Sequence, residues 1–234
     1  MVSTTTKALA PVTGSDLVDM VTSDSFSSLV SECVSYTFET GEETGFMVIR
    51  ALTRNRFVYS EIVFQENSDT FVGGHNLPLS SAYLFEKDIQ YIDDFFYHLI
   101  ESPHVLPVFD LHIHPQVNAA MPSSSDITSH HVRRNERFEY RPISAICMPN
   151  EQNGIDMLFY QALTRCDYLE MSPVIQAMGA CYERKASMEE VLDELRKHEY
   201  NAESFSPQIV PEGVQIPTAQ LAKLRTFAYQ PTRV

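Results

Sequence analysis

The sequence predicts a mixed α/β (α+β) protein, a β-sheet flanked by helices with a helical C-terminal extension. Three observations carry this: amphipathic helical stripes before and between β-type runs, five strong strand segments between residues 46 and 163, and loss of the strong β-runs after Cys166. With 44% apolar and 11% aromatic residues, the 234-residue chain is that of a folded globular protein, large enough for one substantial domain.

The elements follow in order. Residues 1–24 read as a loose, polar N-terminal segment marked by proline and glycine. From Ser25 to Tyr36, Phe26, Leu29, Val30, Cys33 and Val34 recur at helical spacing, and "TFETGEETG" breaks that pattern. "FMVIRALT" and "RFVYSEIVFQ" are β-type runs joined by a polar turn at Arg54 and Asn55. "DTFVGGHNLPLS" holds a short strand and a glycine-rich connection. Ser80 or Ser81 then caps a helix whose stripe is Phe85, Ile89, Ile92, Phe96 and Leu99. "HVLPVFDLHIH" is a strand, "SSSDITSHHVRRNE" a short helix, and "PISAICMP" and "IDMLFYQAL" two further strands. Beyond them, the capping box Ser187–Glu190 opens one helix and Thr218–Tyr229 forms another, with the proline-bearing "FSPQIVPEGVQIP" as an extended linker. The expected organisation is a main domain at 25–165 and a helical extension at 166–234.

Charge and cysteine usage narrow the function classes. A net charge of −14 repels phosphate backbones, so nucleic acid is not expected as a partner. The four cysteines lack CxxC spacing and read as reduced, mostly buried thiols, which points to an intracellular, cytoplasmic protein. The N-terminal segment has no apolar run of signal-peptide length, and no stretch approaches the roughly 18 continuous apolar residues of a membrane span, so a soluble protein with no membrane partner is expected.

The chemistry concentrates in "FDLHIHPQVNAAMPSSSDI", residues 109–127. On a strand, positions i and i+2 share a face, so His112 and His114 project together with Cα atoms roughly 6.6 Å apart and can converge on one ion. Pro115 ends the strand and leaves His114 at its rim. An alternative for HxH is a surface or hydrogen-bonded pair. Ser123-Ser124-Ser125-Asp126 is equally a helix cap, and a helix so capped would present the Asp126 carboxylate at a fixed height over the strand end. His112, His114 and Asp126 together make a three-ligand set of the kind catalytic zinc uses, with a fourth position open.

"HIHP" at 112–115 and "SSSD" at 123–126, with "EETGFMVI" upstream, resemble the JAMM/MPN-domain metalloproteases, whose pattern is an upstream glutamate, H-x-H-P, a short loop and S-x-x-D. The family's E-x-x-G element is matched by Glu42, three before Gly45, and the order of elements over about 25–162 is similar. The resemblance implies an MPN-type sheet flanked by helices, zinc held by His112, His114 and Asp126, Glu42 as general base and acid beside the fourth-site water, and Ser123 as an oxyanion partner. It implies hydrolysis of an amide, foremost the isopeptide bond between the C-terminus of ubiquitin or a ubiquitin-like protein and its target. Alternatives within the family are an amidase for another peptide or small molecule, and a non-catalytic scaffold joined to a complex through C-terminal helices. Three positions depart from the pattern: the loop before Ser123 is longer, Arg50 stands near the place of a second glycine, and Asp110 replaces an apolar residue. By strand alternation Asp110 shares the histidines' face, either as a hydrogen-bonding partner of His112 or as an exposed strand residue. His130 and His131 are adjacent on the short helix and diverge by about 100°, so they cannot both face one ion.

Overall fold

A computed structural model describes residues 12–51, 56–59, 63–64, 105–115, 122–123, 126–127, 143–150, 154–163, 172–211 and 213–227. The helix expected around residues 80–99, the strand before it and most of the helix after Asp126 lie outside them.

The chain enters through α1 (Gly14–Val21), where the sequence reading placed a loose segment. The difference has a local cause: Thr13 accepts from the Asp16 amide while Asp16 reaches back to the Thr13 amide, a complete capping box, and Leu17, Met20 and Val21 form the buried stripe. α2 (Asp24–Thr40) follows, capped by the Ser23 hydroxyl and ended by Gly41 in the left-handed region at φ 75°.

Among the described residues, a seven-stranded mixed sheet organises the rest. It contains β1 (Thr44–Ala51), β2 (Arg56–Tyr59), β3 (Val63–Phe64), β4 (Val105–Ile113), β5 (Ile143–Pro149), β6 (Ile155–Ala162) and β7 (Tyr200–Phe205). The order is β2-β1-β4-β5-β6-β7, with β3 paired to the start of β1. β4 and β5 are the parallel pair and the other pairings are antiparallel. β1 and β4 shift register between Val48 and Ile49, opposite Phe109 and Pro107, where a proline without an N–H cannot continue the ladder.

Both faces of the sheet are covered, which is why β5 reads as an unbroken apolar run with six of its seven residues buried. On one face Phe46, Phe109, Leu111, Cys147 and Phe159 pack against Leu17, Phe26, Val30 and Cys33 of α1 and α2. A file of aromatic contacts crosses this core: Phe26–Phe109 at 5.8 Å, Phe109–Phe159 at 5.1 Å and Phe159–Phe205 at 4.8 Å between ring centroids. Each such pair contributes about 0.5–1.5 kcal/mol beyond area burial. On the other face Ile146, Leu158 and Tyr160 pack against α3 (Ser172–Glu183) and α4 (Met188–Lys197).

The C-terminal third is part of this domain, not an appended helical extension. β7 continues the main sheet, and the expected linker is a hairpin of β8 (Gln208–Val210) and β9 (Gly213–Gln215). Gly213, at φ 132°, lies so close to Ser27 of α2 that a Cβ there would collide with the serine hydroxyl. The expected last helix is reduced to a 3-10 turn (Thr218–Gln220) and α5 (Leu221–Leu224), after which Phe227 joins the aromatic core. β7 escaped the sequence reading because it is an edge strand with Asn201 and Glu203 half-buried, so its apolar alternation is weak. Its outward carbonyls are closed by side chains: Arg196 donates to Ala202 O at 3.0 Å and Lys223 to Ser204 O at 2.9 Å. Among the described residues, no helix is long and apolar enough to cross a membrane.

Cys33, Cys147 and Cys181 are free and buried. Burial pushes the Cys33 thiol up to about 12 and raises Cys147 further. Relative to the ordinary value of 9.0, Cys33 then carries about 10³-fold less thiolate at neutral pH. Iodoacetamide applied to the native protein should leave Cys33 and Cys147 unmodified, whereas denatured protein reacts at both; peptide mapping by mass spectrometry reads the difference.

Candidate metal centre

β4 delivers His112 and His114 to one face at its C-terminal end, as strand alternation requires. Two neighbours hold that end. The His114 amide donates to Cys147 O of β5 at 2.8 Å, and Gly45 of β1 stands directly across from His112. A Cβ on Gly45 would collide with Leu111 O and come within 3.0 Å of the His112 Cα and Cβ, so the close approach of β1 to the site strand requires glycine. The two imidazoles bring their Nε2 atoms 2.9 Å apart.

Asp126 closes the group. Its Oδ2 accepts from the Ser123 amide at 2.6 Å and from the Ser123 hydroxyl at 2.7 Å, while its own amide donates to Ser123 Oγ at 3.2 Å. That reciprocal cap fixes the carboxylate with Oδ1 3.3 Å from His112 Nε2 and Oδ2 3.6 Å from His114 Nε2. The S-x-x-D cap is thus formed, and it places the Asp126 carboxylate beside both imidazoles. All three side chains are buried, at 3%, 5% and 8% exposure for His112, His114 and Asp126. Burial works to raise the Asp126 carboxyl, but the charges and hydrogen bonds of His112 and His114 override it and hold the group well below the usual carboxylate range.

The donor set fits a metal ion. Tetrahedral ligands at about 2.05 Å from a zinc ion lie roughly 3.3 Å from one another, and one donor atom from each of His112, His114 and Asp126 lies within 4.8 Å of the other two, a separation that small side-chain adjustments bring to that value. Among the described residues this is the one group of three His, Cys, Asp or Glu side chains so arranged. The geometry shows that the group can hold a metal; the N,N,O chemistry is compatible with zinc and with other first-row divalent ions.

The glutamate at the site is Glu43. Its Oε1 lies 3.9 Å from His114 Nε2 and its side chain is buried. Glu42, expected there from the E-x-x-G spacing, is only half-buried and accepts the Tyr36 hydroxyl at 2.8 Å. The reason is the phase of alternation: Thr44 is fully buried against α2, so Glu43 takes the opposite face, the one that carries the histidines. Both glutamates are legible in the sequence, but the phase is not.

The remaining expected residues are also placed. The Ser123 hydroxyl is engaged with Asp126. Asp110 is neither a ligand nor exposed; it is buried and accepts the Ser144 hydroxyl at 2.7 Å. Arg50 faces away from the site and pairs with Asp16 of α1 at 3.3 Å. His198 pairs with Glu194 on α4 at 3.4 Å, and His75, His98, His104, His130 and His131 lie outside the described residues. A scan against protein-family models finds no match for this chain, and a search of curated proteins finds none either.

His112→Ala and Asp126→Ala should each lower bound zinc well below one ion per chain after dialysis against zinc, read by elemental analysis, because two remaining ligands hold zinc weakly. Full occupancy in both variants would refute the ligand assignment. Gly45→Ala should lower zinc affinity by 10-fold or more, about the scale of lost outer-shell support, through displacement of His112 rather than loss of a ligand.

Proposed function

We propose that this chain is a metal-dependent amide hydrolase of the JAMM/MPN type, with zinc at His112, His114 and Asp126 and with ubiquitin or ubiquitin-like conjugates as substrate. The observation that carries the reading is the buried His-His-Asp group with a second carboxylate, Glu43, beside it, 3.9 Å from His114. The motif order H-x-H-P then S-x-x-D, on a mixed sheet flanked by helices, supports the MPN-type assignment.

When bound, a divalent cation supplies Lewis acidity that brings the pKa of a coordinated water from about 15.7 towards about 7. With its carboxylate 3.9 Å from His114 Nε2, Glu43 would accept the proton of the attacking water and return it to the leaving amine, the role the E-x-x-G spacing assigns to Glu42. Ser123 orients Asp126 through the cap; turned from that bond, its hydroxyl would serve as the donor to an oxyanion. A scaffold that assembles through free C-terminal helices is less well supported, since α4 buries Val191, Leu192 and Leu195 against its own sheet.

Zinc-loaded protein is to be assayed on ubiquitin and ubiquitin-like isopeptide conjugates and on simple peptide amides, with and without a chelator. The expected result is cleavage of a conjugate that the chelator abolishes and zinc restores. Glu43→Gln should lower turnover by about 10²-fold or more with zinc retained, and Glu42→Gln should leave it within a few-fold of the parent. Cleavage of simple amides alone would move the assignment to a small-substrate amidase, and zinc binding without any cleavage would overturn hydrolysis.

A further inference from the structure

Two adjacent glutamates immediately precede β1, and a slip of one residue would exchange them at the site. What sets the phase is the residue after Glu43. Thr44 is fully buried on the α2 side of the sheet. Its hydroxyl donates to Cys33 O of α2 at 3.1 Å and meets the Thr37 hydroxyl at 2.8 Å. Thr44 has one hydroxyl proton, and Cys33 O takes it, so Thr37 donates to Thr44. The resulting chain, Thr37 to Thr44 to the Cys33 carbonyl, has a fixed direction and lies where the helix and the strand diverge.

We propose that the Thr37–Thr44 hydroxyl pair is the positioning device that commits Glu43, not Glu42, to the metal-binding face. The inference rests on the reading of Glu43 as the site carboxylate. In the slipped register Glu43 would occupy the fully buried place of Thr44, setting a carboxylate against the Cys33 carbonyl with the Thr37 hydroxyl as the one donor of this pair, and burying a charge so sparsely satisfied is costly. The same slip would put the Cβ of Thr44 where Gly45 now meets Leu111 O and His112. Tyr36, one residue before Thr37 on α2, holds Glu42 on the helix side through its hydroxyl. One helix end thus retains one glutamate and, through the threonines, turns the next one to the histidines.

The test uses cobalt(II) as the probe, so it needs no substrate: the affinity for Co2+ is measured by d–d absorbance titration of the full chain. In the parent, Glu43→Gln should weaken Co2+ binding about tenfold or more, the scale of an outer-shell partner, and Glu42→Gln should leave it within about twofold. In the Thr37→Val/Thr44→Val background the shape is kept and the hydroxyls are lost. There the penalty of Glu43→Gln should fall within about threefold, and Thr37→Ser/Thr44→Ser should restore it. A purely structural role would lower the melting temperature and leave the coupling intact, so the full tenfold penalty in the valine background would overturn the proposal. If the double valine variant does not fold, Thr37→Val alone carries the same comparison, because it removes the donor to Thr44. No effect of Glu43→Gln in the parent would overturn both the proposal and the role of Glu43, whereas absence of amide cleavage leaves the cobalt result standing.

Discussion

The candidate site depends on the antiparallel pairing of β1 with β4, and within it on the contact of Gly45 with His112. The backbones meet there without a side chain between them, so β1 can come close enough for the residue two before Gly45 to reach His114. Any larger residue would force the strands apart at the point where the first histidine is set. The parallel neighbour β5 holds the other side through the Cys147 carbonyl, so the end of β4 is fixed from both flanks.

This arrangement places polar groups where a sheet is otherwise apolar. One face of β4 belongs to the aromatic core under α1 and α2, while the other carries Asp110, His112 and His114 and runs beside the core under α3 and α4. Buried polar groups are tolerated when they are mutually satisfied. Asp110 is met by Ser144, and Asp126 by Ser123 and the two imidazoles. A group assembled from a strand end and a helix cap is preorganised by elements that fold for their own reasons, which is what a metal site needs to hold its geometry.

The two ends of the chain secure the same frame. Gly14 opens α1 so near the backbone of Arg225 that a Cβ could not be accommodated, and Leu17 and Leu224 share one core. β7 extends the sheet and is itself shielded by Arg196 and Lys223, both of which also lie near Glu203, at 3.5 and 3.8 Å. The C-terminal segments therefore serve the domain that carries the site, and the acidic surface is locally balanced along this edge.

Much of this was legible in the sequence because it is written in local patterns. The 3.6-residue stripe of Phe26, Val30 and Cys33 determined α2, the apolar runs determined β1, β4, β5 and β6, and H-x-H followed by S-x-x-D determined which side chains could gather, since strand alternation and a capping box are properties of short segments. The α1 capping box Thr13–Asp16 was equally local, but the proline and glycine around it obscured it. Only the tertiary structure decided that β7 joins the sheet, because an edge strand draws its stability from a partner distant in sequence. Only the tertiary structure decided between Glu42 and Glu43, because alternation fixes that neighbours face apart but not which one faces the histidines. That phase is set by the burial of Thr44 against Thr37 and by the approach of Gly45 to His112, contacts between elements that no single segment contains.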